Sequence, residues 1–189
     1  MVNAITQPES ERIFIPQNTL VALCGPAGCG KSTFAARHFF ATQTVSSDQC
    51  RALVSDDPAN QAISDHAFDL MHFIIEKRLT LGRLTVADAT NLDRRDRSAL
   101  IKIACWFGFN AAAIVFKIPL EICLARNAAR PRKVPEDALR RQYEMLEATL
   151  ITIDREGFDY VYALDERNQE IVMIETGPAK ARKHPRKRN

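Results

Sequence analysis

The stretch GPAGCGKS, residues 25–32, decides the fold. It has the pattern GxxxxGK[ST], it follows the apolar run TLVALC at 19–24, and a helical pattern follows it over 31–40. This order of strand, glycine-rich turn and helix is typical of a phosphate-binding loop, because converging backbone N–H groups and the helix N-terminus favour an anion. We call residues 25–32 the phosphate loop. The residues predicted to hold the phosphates of ATP are Gly25, Gly28, Gly30, Lys31, Ser32 and Thr33.

Two side chains of the phosphate loop have separate predicted roles. Lys31 is expected to reach the outer phosphates, and the hydroxyl of Ser32 is expected to bind Mg²⁺. The sequence therefore predicts ATP and Mg²⁺ as cofactors.

Short apolar runs alternate with helical patterns along the rest of the chain. Strands are predicted at 19–24, 44–47, 84–87, 111–118 and 158–164, with a sixth near 171–174. Helices are predicted at 31–40, 66–81, 94–107, 121–129 and 135–153. Such alternation predicts an α/β fold with a parallel sheet of about five strands, covered by helices on both faces.

Length and charge indicate one domain and a basic tail. The chain has 189 residues, 46% of them hydrophobic, which is enough for one buried core. We assign residues 1–177 to the domain and residues 178–189 to the tail. The tail has six Lys or Arg and no acidic residue, whereas the rest of the chain has 20 basic and 23 acidic residues. Such a tail fits either contact with nucleic acid or a solvated chain end.

Hydropathy and cysteine usage favour a cytoplasmic protein without a membrane segment. No apolar run approaches the roughly 18 residues of a membrane helix, and the first residues lack the pattern of a secretory signal. The five cysteines are odd in number and lack metal-ligand spacing. Reduced thiols in the cytoplasm are the simplest interpretation.

The third predicted strand ends at Asp88, within the run DATN. A carboxylate at this sheet edge can orient Mg²⁺, although an aspartate in this run can also cap a turn. Ala89 follows it, where a motor ATPase would have a glutamate to activate water. The chain also lacks an NKxD guanine-reading motif and an LSGGQ transporter motif. These absences make a motor ATPase, a GTPase and a transporter ATPase weaker hypotheses.

The second predicted strand leads into VSSDQCR, residues 45–51. Ligands of doubly wound sheets bind beyond the carboxyl ends of the strands, so Asp48 is expected beside the phosphate loop. A carboxylate there can accept the proton of an attacking hydroxyl, and Arg51 can bind a phosphate with two donors. From the spacing alone, a helix-capping aspartate followed by a surface arginine is an equal alternative.

Six runs of sequence together resemble a known family. GPAGCGKSTFA, VSSDQCR, LVSDD, GRLTVADATN, RNAAR and EGFDYVY, in this order, resemble the kinase module of bacterial polynucleotide kinase-phosphatases. The resemblance covers roughly residues 12–165. It implies a P-loop kinase-type sheet and transfer of the ATP γ-phosphate to the 5′-hydroxyl ends of DNA or RNA, in nucleic-acid end repair.

The same resemblance implies roles for individual residues. Asp48 would be the general base, and Arg51 would bind the phosphate just 3′ of the accepting nucleoside. The segment RNAARPRKVP, residues 126–135, would be an arginine-rich lid that closes over the reacting phosphate. Arg126 and Arg132 would act in catalysis, and Arg126 and Arg130 would contact the nucleotide. A basic solvated turn before a helix is the alternative for these arginines.

The leading hypothesis is an ATP- and Mg²⁺-dependent 5′-hydroxyl polynucleotide kinase whose partners are nucleic-acid ends. One alternative is a P-loop kinase of a small metabolite such as a sugar acid or nucleoside, which would not need Arg51 to meet a phosphate. Another is a binding module switched by nucleotide. The sequence leaves open a homodimer, as well as phosphatase or ligase modules in a longer parent protein.

Overall fold

The computed structural model describes residues 12–169, 172–178 and 180. Seven strands are present in these ranges: β1 Arg12–Pro16, β2 Thr19–Cys24, β3 Thr44–Ser46, β4 Thr85–Asp88, β5 Asn110–Phe116, β6 Tyr160–Leu164 and β7 Met173–Gly177. The same ranges contain six α-helices: α1 Lys31–His38, α2 Ser47–Ser55, α3 Ser64–Thr80, α4 Arg94–Trp106, α5 Leu120–Ala128 and α6 Glu136–Thr152.

Five strands form one parallel sheet in the order β3-β4-β2-β5-β6. The residues of β2, β4 and β5 are all buried, as expected for strands that are covered on both faces. One face packs against α3 and α4, and the other packs against α1 and α5. The predicted α/β fold, with a five-stranded parallel sheet flanked by helices, is confirmed.

The strand register brings three strand ends together at the carboxyl edge of the sheet. Asp88 on β4 pairs with Leu23 on β2 at one side and with Ser46 on β3 at the other. The phosphate loop begins directly after β2, and α2 begins directly after β3. Because β4 lies between β2 and β3, Asp88 separates the phosphate loop from the start of α2.

The structure differs from the predicted elements at both ends of the chain. β1 was not predicted, and it pairs in parallel with β7 in a separate two-stranded sheet. The strand expected near 171–174 is found as β7, two residues later in the chain and outside the main sheet. Its pairing depends on a contact across the whole chain, which no local pattern reveals.

Two other predictions concern features away from the sheet. None of the helices within the described ranges is long and apolar enough to cross a membrane. The tail predicted over 178–189 lies outside the described residues, apart from Pro178 and Lys180.

Candidate functional site

The phosphate loop is held in place by bonds to the loop that follows β4 and to helix α6. Gly25 donates its N–H to the Thr90 carbonyl oxygen at 2.9 Å. Ala27 donates its N–H to Oε1 of Gln142 at 2.8 Å. Elements distant in sequence therefore fix the shape of the loop before any ligand binds.

The Lys31 side chain folds back over the first residues of the phosphate loop. Its Nζ donates to the carbonyl oxygens of Gly25 and Pro26, at 2.7 and 2.8 Å. The residue is buried, so its ammonium group exchanges water for loop carbonyls. The third contact of Nζ is with Sγ of Cys29 at 3.5 Å, and an anion in the loop would take over this weaker contact, because phosphate oxygens are stronger acceptors for a cation.

Two glycines of the loop are required by the geometry. Gly28 and Gly30 have φ angles of 80° and 99°, which other residues rarely adopt. A Cβ at Gly28 would lie 2.3 Å from the Cys123 carbonyl oxygen, and one at Gly30 would lie 2.2 Å from Nε2 of Gln169. The close approach of the α5 backbone therefore excludes a side chain at Gly28, and at Gly30 the positive φ disfavours one.

Asp88 and Ser32 meet at the base of the loop. The Asp88 carboxylate is buried and accepts a hydrogen bond from the Ser32 hydroxyl. Burial raises the pKa of Asp88, and the bond from Ser32 and the charge of Lys31 offset part of that rise. The two oxygen groups suit Mg²⁺, which uses one or two carboxylates and takes its remaining ligands from waters and substrate phosphates.

The described residues contain no cluster of three or more His, Cys, Asp or Glu side chains that could hold a metal alone. A cation at Asp88 and Ser32 would therefore depend on phosphate oxygens for further ligands. This fits Mg²⁺ bound together with a nucleotide.

Asp48 and Arg51 lie side by side in the first turns of α2. Nη1 of Arg51 donates to Oδ1 of Asp48, and also to the Pro58 carbonyl oxygen at 3.4 Å. The Arg51 side chain is only 6% exposed, whereas that of Asp48 is 56% exposed. Nε of Arg51 is buried without a hydrogen-bond partner. Arg51 is therefore buried, and the alternative of a surface arginine is wrong. Its burial also leaves one guanidinium donor without a partner.

The three arginines expected in the lid occupy different places. Arg132 donates to Oδ2 of Asp48 at 3.2 Å. Arg126 lies next to Gly30. Arg130 lies between Arg126 and Arg132, because it lines a cavity with each of them. Asn127 closes the base of this segment, because its side chain bonds both the N–H and the carbonyl of Val134.

Two cavities meet at the phosphate loop. The helix-side cavity has a volume of about 310 Å³, and its lining includes Gly28, Gly30, Thr33, Arg37, Arg126 and Gln169. The strand-edge cavity has a volume of about 590 Å³, and its lining includes Lys31, Ser32, Asp48, Arg51, Asp88 and Arg132. Arg130 lines both cavities. Every predicted site residue except Gly25 lines one of the two cavities. Gly25 is the first residue of the phosphate loop, where the cavities meet.

Sequence reasoning missed several polar residues of the site. Gln142 lines the strand-edge cavity, and Gln169 covers the loop by donating to the Cys29 carbonyl oxygen at 2.9 Å. Gln142 has a signal in the sequence, because it lies at helical spacing between the buried Leu139 and Leu146. Gln169 lies outside any motif, and only the fold brings it to the loop.

The match to a known family follows the same elements. The sequence matches the family described as "AAA domain" over residues 20–149, which is more than half of the 189-residue chain. The chain belongs to the AAA domain family. The matched range of this AAA domain protein runs from β2 through most of α6, and it includes the phosphate loop, Asp48, Asp88 and the lid arginines.

Two curated relatives match part of the chain. A protein named "Transcription factor bHLH140" from Arabidopsis thaliana is 30% identical over 125 residues, covering 66% of this chain and 13% of its own length. A protein named "L-seryl-tRNA(Sec) kinase" from Methanococcus maripaludis is 25% identical over 132 residues, covering 66% of this chain and 51% of its own length. The chain thus spans about half, or less, of the curated relatives it matches.

Solved structures identify the fold as that of a P-loop kinase. A chain of the "Pnkp1/Rnl/Hen1 RNA repair complex" has a TM-score of 0.61 at 21% identity, over 71% of this chain and 46% of that one. A gluconokinase from Sinorhizobium meliloti 1021 has a TM-score of 0.52 at 19% identity, over 84% of this chain and 89% of that one.

Proposed function

We propose that this AAA domain protein is an ATP-dependent kinase that transfers the γ-phosphate of ATP to the 5′-hydroxyl end of a polynucleotide, in nucleic-acid end repair. The observation that carries the proposal is Arg51. Its guanidinium is buried beside Asp48, retains an unpaired Nε donor, and lines the same cavity as the phosphate loop.

A buried unpaired donor on a cation favours an anionic ligand. Leaving such a donor unsatisfied costs about 1–3 kcal/mol, and more for a charged group. A phosphate oxygen would satisfy Nε of Arg51 with a charge-assisted bond. The phosphate of the phosphoryl donor belongs at Lys31, so Arg51 is suited to a second phosphate, on the acceptor. A nucleotide or polynucleotide end offers this pair of groups, with a hydroxyl for Asp48 and a phosphate for Arg51.

The donor side is suited to ATP and Mg²⁺. Backbone N–H groups of the phosphate loop and the ammonium of Lys31 would hold the triphosphate. Ser32 and Asp88 would hold Mg²⁺, which supplies charge neutralisation for the phosphate oxygens when bound. Arg126 and Arg130 line the helix-side cavity and would contact the nucleotide there.

The reaction is a single displacement at the γ-phosphorus. Asp48 would accept the proton of the 5′-hydroxyl as its oxygen forms a bond to phosphorus, and the bond to the β-phosphate oxygen breaks to release ADP. Oδ2 of Asp48 accepts from Arg132 in this structure, so the acceptor hydroxyl must displace that contact. Arg132 would then be free to neutralise charge on the phosphoryl group as it transfers.

Two of the similar proteins have names that agree with a nucleic-acid acceptor. One is named "L-seryl-tRNA(Sec) kinase", and the other is a chain of an RNA repair complex. Their identities of 25% and 21% do not transfer an activity to this chain. They support the proposal because they show nucleic-acid proteins among its relatives and structural neighbours.

A kinase of a sugar acid is the second candidate. Its supporting observation is the fold, because a gluconokinase is among the similar structures. A sugar acid would present a carboxylate to Arg51 in place of a phosphate.

Transfer of labelled phosphate from ATP separates the two candidates. The acceptors compared would be a 5′-hydroxyl oligonucleotide, D-gluconate, and water alone. We expect label on the oligonucleotide 5′ end at a rate well above the transfer to gluconate. Faster transfer to gluconate, with an unlabelled oligonucleotide, would replace the proposal with the sugar-acid kinase.

A further inference from the structure

The peptide group between Pro26 and Ala27 connects Lys31 to helix α6. Its carbonyl oxygen accepts from Nζ of Lys31 at 2.8 Å. Its N–H donates to Oε1 of Gln142, also at 2.8 Å. One rigid peptide plane therefore carries both bonds, because the partial double bond of a peptide keeps its N–H and C=O oriented together.

Gln142 is itself held in a defined place on α6. It lies three residues after Leu139 and four before Leu146, and both leucines are buried in the hydrophobic core. Thr149, one further step along the same stripe, accepts a bond from Arg97 at 3.1 Å and donates to the Met145 carbonyl oxygen at 2.7 Å. The buried stripe of Leu139, Leu146 and Thr149 holds α6 in place beside the site. The Gln142 amide therefore has little freedom to move away from the phosphate loop.

Helix α6 also begins directly after the lid arginines. Pro135 precedes its first residue, and the Asn127–Val134 bonds close the loop that carries Arg130 and Arg132. A shift of this loop on closure would therefore act on the N-terminal turns of α6, where Gln142 is located.

From these contacts we infer that Gln142 is a positioning residue for the phosphate loop, acting on Lys31 through the Pro26–Ala27 peptide. Accepting the Ala27 N–H keeps the Pro26 carbonyl turned toward Lys31. Without that acceptor the peptide is free to rotate, and the ammonium loses the support that directs it to the outer phosphates. This inference rests on the proposed binding of ATP, but not on the identity of the acceptor.

A binding experiment on the full chain tests the inference. The probe is a non-hydrolysable ATP analogue with Mg²⁺, measured by calorimetry. Gln142→Met retains the length of the side chain but lacks the acceptor, and Gln142→Asn retains the amide but is too short to reach Ala27. We expect both variants to bind the analogue about three- to tenfold more weakly, the effect of one neutral hydrogen bond. Glu144→Met, at an exposed position of the same helix, should bind as the wild type does.

A double-mutant cycle tells positioning of Lys31 apart from general support of the fold. Adding Gln142→Met to Lys31→Ala should change the affinity by less than about twofold, because the group that Gln142 positions is already absent. A loss as large as in the wild-type background would overturn the inference, as would wild-type affinity in Gln142→Met alone. No binding of the analogue by the wild type would overturn the proposed ATP site together with the inference.

Discussion

At the scale of single residues, Asp48 is the group on which the proposed chemistry depends. It is exposed to the strand-edge cavity, and both of its oxygens accept from arginines. These contacts orient the carboxylate, but they leave it at the cavity wall, where an acceptor hydroxyl can reach it. Orientation and access together are what a general base requires.

Replacing Asp48 should separate transfer from nucleotide binding. Asp48→Ala is expected to lower the rate of transfer to a 5′-hydroxyl oligonucleotide by at least about a hundredfold, the contribution of a positioned general base. The affinity for ATP should stay near that of the wild type, because Lys31, Ser32 and the loop backbone remain. Label transfer and calorimetry measure the two quantities.

The matched control for this variant is Asp65→Ala, an exposed aspartate in the first turn of α3. It should transfer phosphate as the wild type does. Transfer by Asp48→Ala at close to the wild-type rate would show that another group takes the proton.

Where a motif fixes local geometry, the sequence indicates which residues lie together, and their roles stay predictions. The spacing of the phosphate loop led to Lys31 and Ser32, and the three-residue spacing in VSSDQCR led to Asp48 and Arg51. The burial of Arg51 could not be read in the same way, because it depends on the 57–58 turn and α3 folding over α2. Gln169 was missed for the same reason.

At the scale of elements, the lid is the part of the site expected to move. Arg132→Ala should lower kcat more than it raises KM for the oligonucleotide, because a contact made mainly in the transition state affects the rate and not ground-state binding. Steady-state kinetics with a labelled acceptor measure this difference. Lys133→Ala, which removes the neighbouring exposed charge, should leave both constants unchanged. A change confined to KM for ATP would make Arg132 a ground-state nucleotide contact.

A buried ion pair joins Arg97 on α4 to Glu156, which follows α6, and Arg97 also bonds the loop after β4. Arg97 bonds Glu156 through two nitrogens, each at 2.6 Å, and it donates to the carbonyl oxygens of Asn91 and Leu92. Burial alone would raise the pKa of Glu156, but the bonds from Arg97 and Thr152 outweigh it and lower the pKa below 4.5. This loop follows directly after Asp88, the last residue of β4, so the ion pair supports the site indirectly.

Because of this ion pair, the free energy of unfolding should decrease as the pH falls into the acid range. The pKa of Glu156 is lower in the folded protein than in the unfolded chain, so its contribution is complete above about pH 4.5 and declines as the pH falls further. Glu156→Gln should lower the free energy of unfolding at pH 7 by roughly 3–5 kcal/mol, because it leaves the Arg97 charge buried without its partner. Below pH 4.5 the free energy of unfolding of Glu156→Gln should also fall less steeply than that of the wild type.

Urea unfolding from pH 7 to pH 3 measures both effects, with Glu144→Gln as an exposed control on α6. Equal acid sensitivity of Glu156→Gln and the wild type would contradict this explanation.

Most of the main sheet could be predicted because its strands are short apolar runs that end at turns. The runs TLVALC and NAAAIVF are apolar enough to predict strands that are covered on both faces. β1 was not predicted and β7 was predicted only approximately, because the short runs RIFIP and MIETG carry little periodicity and the pairing of β1 with β7 joins distant parts of the chain. The order of strands was also not readable, so the position of β4 between β2 and β3 came only from the structure.

At the scale of the whole molecule, the basic tail begins on the side opposite the site. The backbone of Lys180 bonds the side chain of Asn18 in both directions at 2.9 Å, and its carbonyl accepts from Asn110 at 3.2 Å. Asn18 precedes β2 and Asn110 starts β5, so this anchor is at the amino edge of the sheet. The tail residues after Lys180 are therefore expected to affect binding of a long polynucleotide and not the chemistry.

Removing residues 181–189 tests this expectation while keeping the Lys180 anchor. The deletion takes away five Lys or Arg residues. It should weaken binding of a single-stranded oligonucleotide at low salt and make the slope of log affinity against log salt shallower, by up to about 3.5. Transfer to a nucleoside 3′-monophosphate should be unaffected. An unchanged salt slope would show that the tail does not contact the polynucleotide.

The central claim is that the acceptor has a phosphate next to the hydroxyl that reacts. It is tested most directly by comparing transfer from ATP to a nucleoside 3′-monophosphate and to the same nucleoside without phosphate, in the wild type, Arg51→Ala and Arg51→Lys. The wild type should prefer the monophosphate, and Arg51→Ala should reduce that preference by about ten- to a hundred-and-fifty-fold, the effect of a charge-assisted hydrogen bond. Arg51→Lys should restore only part of it, because lysine lacks the planar pair of donors. Equal transfer by the wild type to both acceptors would contradict the claim.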